Sequence, residues 1–158
     1  MDVIIRTAKE DEIPGILAMQ KEIFSGEQNI PADLIGAVME DNPRFWCAEM
    51  DGKIVGAITA WEENGQVHLG RFVVAPGMRG KHIGRQLLKA GFDGIFAAGA
   101  DIVYMEARDV SVRLVSALGG IVTGAPRDFY LGTVTPMIMN RADYYGFCPE
   151  ENNRSENG

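Results

Sequence analysis

The spacing of apolar and polar positions changes several times along the chain, and each change marks an element. Val3, Ile4 and Ile5 form a short β-like run. Ile13, Ile16, Leu17, Ile23 and Phe24 then recur at helical spacing, with Asp11 as the expected N-cap and Pro14 in the first turn. A polar break over residues 25–29 ends that helix. Pro31 opens a second one carrying Leu34, Ile35, Val38 and Met39, which Asn42-Pro43 stops. From Arg44 the period is two. Residues 44–50, 53–61 and 66–74 read as three antiparallel strands joined at Asp51-Gly52 and Asn64-Gly65, both pairs suited to two-residue hairpin turns.

Helical spacing returns through Ile83, Leu87, Leu88, Gly91 and Ile95. The unalternating run Ile102-Val103-Tyr104-Met105 predicts a strand buried on both faces. Val110, Leu114, Val115 and Leu118 predict another helix, stopped by Gly119-Gly120. Residues 121–123 and 134–140 read as two closing strands around a loop containing Pro126. Residues 1–147 thus form one domain, and 148–158 a polar tail expected to be disordered.

The chemistry concentrates in residues 72–88. An apolar strand breaks at Pro76-Gly77, and residues 79–85 then hold three cations, Arg79, Lys81 and Arg85, with Gly80 and Gly84. The backbone N–H groups of a helix's first turn have no partner within the helix, and the peptide dipoles place partial positive charge there. This turn is therefore expected to hold a phosphate or pyrophosphate. It is not a P-loop, because Gly77-x-x-Gly80-Lys81 is too short and His82 follows. It also lacks the GxGxxG pattern of dinucleotide-binding turns.

The segment resembles the acyl-CoA loop of the Gcn5-related N-acetyltransferase (GNAT) superfamily. That pattern is Val-x-Pro-x-x-Arg-Gly-x-Gly-Ile-Gly followed by x-x-Leu-Leu. Val74, Pro76, Arg79, Gly80, Ile83, Gly84, Leu87 and Leu88 match it, while His82 stands where the first glycine of its core usually sits. The resemblance implies an α/β (α+β) single-domain fold: a mixed, mostly antiparallel sheet of about six to seven strands flanked by about four helices. It implies acetyl-CoA or coenzyme A as the cofactor. Phe72, Val73, Val74, Arg79, Gly80, Lys81, His82, Ile83, Gly84 and Arg85 would hold it, with main-chain groups of residues 72–74 polarising the acyl carbonyl. The implied reaction is direct attack of a primary amine on the thioester.

Such an amine arrives mostly protonated, because its reference pKa is about 10, so a base is needed. His68 on the strand before the loop, and Glu62 and Glu63 at the preceding strand's end, are the candidates; regular alternation would put His68 on one face with Gly70 and Phe72. Resembled proteins often protonate the leaving thiolate with a tyrosine of the later helix, but Val115 occupies that position here. Tyr130, in the Asp128-Phe129-Tyr130 segment, is the most interesting substitute. A catalytically silent acyl-CoA-binding module is the alternative reading, since the phosphate turn is intact and the tyrosine is not.

Charge and composition narrow the setting. The 158 residues carry a net charge of −7, which argues against sequence-independent nucleic-acid binding and leans toward a small cationic amine, or a protein amine, as acceptor. Apolar runs fall short of a membrane span, and the chain opens in strand-like sequence without a signal peptide. Cys47 and Cys148 are too few and too separated for a disulfide framework or zinc spacing, so a reduced cytoplasmic setting is expected. Homodimerisation, common in the resembled family, has no signature of its own here.

Overall fold

A computed structural model describes residues 3–28, 42–80, 82–130 and 132–147 of the chain. Strands β1 (Ile4–Thr7), β2 (Arg44–Met50), β3 (Lys53–Glu63) and β4 (Gln66–Val74) precede the long helix α2 (Ile83–Ala97), and α1 (Ile13–Gln28) lies between β1 and β2. After α2 come β5 (Ile102–Arg108), α3 (Asp109–Ala117), β6 (Ile121–Val122), β7 (Arg127–Phe129), β8 (Gly132–Asn140) and α4 (Arg141–Phe147). The strands make one sheet in the order β1-β2-β3-β4-β5-β8-β6, with β7 also on β8. Every pairing is antiparallel except that of β4 with β5.

The two hairpins form where the turn chemistry placed them. Asp51 and Gly52 have φ of 52° and 80°, and Asn64 and Gly65 of 53° and 78°. Two successive positive φ values twist the chain to match the flanking strands, and Asn, Asp and Gly reach them most cheaply. The helices cover the sheet unequally. On one face Leu87, Leu88, Phe92, Ile95 and Phe96 of α2 are fully buried against Ile58, Leu69 and Val103. Val115 of α3 and Tyr144 of α4 join that layer; the Tyr144 hydroxyl donates to Asp93 Oδ1 at 2.6 Å. On the other face Ile16, Ile23 and Phe24 of α1 pack on Phe45, Cys47, Ala57 and Val73. Burial pushes the Cys47 thiol pKa up, which makes it a small apolar filler.

Several expectations need correction. Asp11 is not a helix N-cap: it lies inside a 3-10 turn, Glu10–Glu12, that precedes α1. Glu12 organises that turn, accepting the Lys9 N–H at 2.8 Å and pairing with Arg6, which also holds Glu49. The polar residues Ser25 and Gly26 do not end α1, which runs to Gln28; burial of Ile23 and Phe24 outweighs their weak helix propensity. β5 alternates rather than being buried on both faces, with Val103, Met105 and Ala107 inside and Ile102 and Glu106 exposed. The loop around Pro126 contains the short strand β7, and α4 follows β8; neither had a strong periodic signal. The second expected helix, Lys81, Cys148 and the polar tail lie outside the described residues. Among the described residues no helix is long and apolar enough to cross a membrane.

The Arg6 guanidinium and the Lys9 N–H hold the Glu12 carboxyl down at about 2. A carboxyl pKa lower in the folded state than in the unfolded one adds stability above the unfolded value, and that stability goes as pH falls through the folded one. The wild type should therefore lose denaturant resistance from about 4.5 down toward about 2. Glu12→Gln should be less stable at neutral pH and lose less across that window, as read from urea midpoints at its two ends.

Candidate functional site

The site begins where two neighbouring strands separate. β4 and β5 pair only at Val67–Val103 and His68–Tyr104. Beyond those residues both strands continue without pairing to each other, and a cleft of about 300 Å³ opens between them. Its walls come from both sides of the sheet, with Leu88 and Met105 toward α2 and Phe24 and Phe129 toward α1.

A bulge lies in the freed part of β4. Thr59 pairs with Gly70 but Ala57 pairs with Val73, so Arg71 and Phe72 together stand opposite Ile58. Arg71 takes the extra place with φ of 52°. The buried Gln20 of α1 fixes this bend, its amide donating to the Arg71 carbonyl at 2.8 Å and to Thr59 Oγ1 at 3.0 Å. The bulge also corrects the assumption of regular alternation. Leu69 and Phe72 both point toward α2, against Gly91 and Gly84, so His68 lies on the opposite face from Phe72. A Cβ on Gly84 would stand 2.5 Å from the Phe72 ring, so this glycine lets α2 pack against β4.

β4 leads through a 3-10 turn, Pro76–Met78, to Arg79, whose Nε donates to the Val74 carbonyl at 3.1 Å. Gly80 has φ of 83°, with open space where a side chain would be. His82 follows with φ of 62° and ψ of 14° and forms the N-cap of α2. The bond from the Gln86 N–H to the His82 carbonyl comes first along the helix, so the N–H groups of Ile83, Gly84 and Arg85 lie ahead of it. With Arg85 exposed on that turn, the donors and charge fit a diphosphate. The left-handed conformation of His82 explains why glycine usually stands there. The position needs positive φ, which histidine reaches at a cost of about 1 kcal/mol.

The candidate catalytic residues lie apart from the cleft wall. His68 is half-buried at the last paired position of β4, stacked on Trp61 with ring centroids 5.8 Å apart and 5.7 Å from the Tyr104 ring. Its Nε2 is 3.5 Å from Glu63. Glu62 is exposed at the end of β3. Tyr130 is exposed in the β7–β8 turn with φ of 54°, its ring edge against Phe129. Val115, at the tyrosine position, is fully buried in the core.

Side chains that the sequence reading left aside line the cleft instead. Glu106 and Arg108 face it from β5, Arg71 from the bulge and Arg127 from β7. Glu106 lies 3.6 Å from Arg127. Arg108 Nη1 donates to the Phe129 carbonyl at 3.0 Å, and its guanidinium sits 5.1 Å from the Phe129 ring centroid. Burial lowers the pKa of both Arg71 and Arg108, so each charge is held at a desolvation cost. The available signal was the alternation of Tyr104, Glu106 and Arg108 past the apolar run, which marks a polar strand face.

His82→Gly should remove the left-handed penalty without changing the turn. It should be neutral or stabilising by up to about 1 kcal/mol in urea unfolding. Its coenzyme A affinity should equal the wild-type value in calorimetry; a large loss of affinity would give the imidazole a direct role.

Comparison with known proteins places the fold and the family. Solved structures share the fold: Escherichia coli ElaA, with TM-score 0.76 and 18% identity over 88% of this chain and 99% of that one. A second is yncA of Salmonella typhimurium, a putative acetyltransferase with its cofactor acetyl-CoA, with TM-score 0.69 and 20% identity over 89% and 94%. A third is spermidine N-acetyltransferase of Vibrio cholerae in complex with CoA and spermine, with TM-score 0.67 and 17% identity over 90% and 97%. Comparison with curated proteins found no match. The model of the acetyltransferase (GNAT) family matches residues 13–119, from the start of α1 through the turn before α2, and on through β5 and α3 to Gly119, and the chain belongs to that family.

Proposed function

We propose that this chain is an N-acyltransferase that moves an acetyl group from acetyl-CoA to a primary amine by direct attack of the amine nitrogen on the thioester. The observation that carries this reading is the pairing of one open cleft with one phosphate-type turn, joined by the seven residues from Phe72 to Met78 of a single strand and turn.

When bound, acetyl-CoA supplies an acyl thioester, already activated toward amines. Its diphosphate would be held by the main chain of Gly80, Ile83 and Gly84, with Arg79 and Arg85 adding charge. Main-chain groups of Phe72, Val73 and Val74, on the unpaired edge of β4, would polarise the acyl carbonyl as negative charge develops on its oxygen. The apolar walls of the cleft keep water from competing.

The attacking amine must lose a proton. Glu106 is the carboxylate on the cleft wall, and we assign it that role in preference to His68, whose stacking on Trp61 and Tyr104 suits a structural part. No dedicated acid is required for the departing thiolate, since a free thiol has a pKa of about 8.5. The burial of Val115 in the tyrosine position is compatible with turnover on that ground.

Acetyl-CoA consumption over a panel of primary amines, together with thermal stabilisation by coenzyme A, tests the reading. Turnover and stabilisation are expected together; stabilisation without turnover of any amine would make the chain a silent acyl-CoA-binding module. Glu106→Gln should lower kcat by roughly 100-fold or more at neutral pH. His68→Ala should act mainly on the melting temperature. The reverse pattern would return the base to His68.

A further inference from the structure

One buried side chain outside the cleft wall governs the bend in β4. Gln20 is wholly buried between α1 and the sheet, on a helix whose buried neighbours are Ile16, Ile23 and Phe24. A main-chain carbonyl can only accept a hydrogen bond, so the nitrogen end of the Gln20 amide must face Arg71. Its second N–H goes to Thr59 Oγ1, on β3, at 3.0 Å. That leaves Gln20 Oε1 buried with no hydrogen-bond partner among the described residues. An unmet buried acceptor is destabilising. Packing alone therefore does not account for glutamine here, since methionine has a similar length and volume and carries no such group.

What the amide holds is one end of a peptide plane. The Arg71–Phe72 peptide is trans, so the Arg71 carbonyl and the Phe72 N–H project in opposite directions from one rigid unit. Fixing the carbonyl on Gln20 fixes the Phe72 N–H pointing away from it. The plane needs such a hold. Arg71 has φ of 52°, a left-handed conformation that residues other than glycine occupy at a cost, and the bulge sets it and Phe72 together opposite Ile58. The Arg71 guanidinium lies 5.8 Å from the Trp61 ring centroid, and the same ring closely covers Gly70. Those contacts restrain the Arg71 side chain, whereas the peptide after it turns about its own flanking bonds.

We infer that Gln20 is a positioning residue for acyl transfer: by gripping the Arg71 carbonyl it aims the Phe72 N–H at the oxygen of the acyl carbonyl. It is not on the cleft wall and acts through the backbone. The inference rests on the acyltransferase reading, in which main-chain groups of residues 72–74 receive that oxygen, and it adds the side chain that makes one of those donors effective. A donor already in place when negative charge develops needs no reorganisation at that moment, which is where it stabilises most. Without Gln20 the loss falls on kcat. Affinity for coenzyme A is untouched, because its diphosphate would meet the turn before α2.

The test observes the carbonyl itself. Acetyl-CoA isotope-labelled at the thioester carbonyl carbon, bound to the wild type without acceptor, should show its infrared stretch below the frequency it has in water. In Gln20→Met, which keeps the length and loses both N–H groups, that displacement should shrink. Its kcat with the best amine of the panel should fall roughly tenfold to a hundredfold, with calorimetric affinity for coenzyme A unchanged. Thr59→Val removes only the companion acceptor and should keep both the wild-type rate and the wild-type stretch. Melting temperatures show which variants fold, and Gln20→Leu replaces the methionine variant if that one does not.

Undiminished kcat and an unmoved stretch in a folded variant overturn the inference and leave the acyltransferase reading standing. So does a loss of rate matched by an equal loss of coenzyme A affinity, or by an equal loss in Thr59→Val, because Gln20 would then serve only the packing of α1. A wild-type stretch at its value in water also overturns it, since no fixed donor would then face the acyl oxygen. Coenzyme A binding with no turnover of any amine by the wild type overturns both readings.

Discussion

A β-strand that leaves its neighbour must find other partners for half of its backbone groups or present them to a ligand. That constraint organises this molecule. β4 is bound to β5 for two residue pairs and then continues alone along one edge to the turn before α2. Buried backbone groups without partners are costly, so such an edge persists only with support from elsewhere. Support comes from α1, whose Gln20 reaches across to satisfy the Arg71 carbonyl and the Thr59 hydroxyl together. The bulge, the reversal of facing at Leu69 and Phe72, and the placement of Gly84 against the Phe72 ring all follow from that bend. Fold and site are therefore one structure, since the same departure from regular pairing that opens the cleft also directs the strand to the helix start.

Much of this was legible because local chemistry decided it. Asp51-Gly52 and Asn64-Gly65 specify their turns through backbone conformation alone, and the bounds of β2 and β4 followed from them. The turn after β4 was legible for the same reason, including the oddity at His82, which proves to be a conformational requirement met by an unusual residue. What stayed hidden depends on tertiary context. The continuation of α1 past Ser25 and Gly26 is decided by the burial of Ile23 and Phe24. The one-sided burial of β5 is decided by what lies across from it, which no apolar run announces.

The cleft residues illustrate the same limit in electrostatic form. Net charge is a property of the whole surface and governs long-range attraction. It says little about a recess whose lining is set by four side chains from three separate strands, Arg71, Glu106, Arg108 and Arg127. Two of those strands, β5 and β7, are brought together by β8, which pairs with both and so sets Arg108, Val134 and Arg127 in one row. Nothing in the linear order of the residues brings Arg127 near Glu106; the sheet does.

The short junction between β4 and β5 has a geometric consequence. Main-chain bonding joins β1–β4 to β5–β8 at that place, and the rings of Trp61, His68 and Tyr104 lie across it like a rivet. A sheet built this way is two internally laddered halves joined by main-chain bonds at one short place, with the gap between β4 and β5 opening away from it. The reach of the β4–β5 pairing, capped by those three rings, is therefore what fixes where the cleft begins.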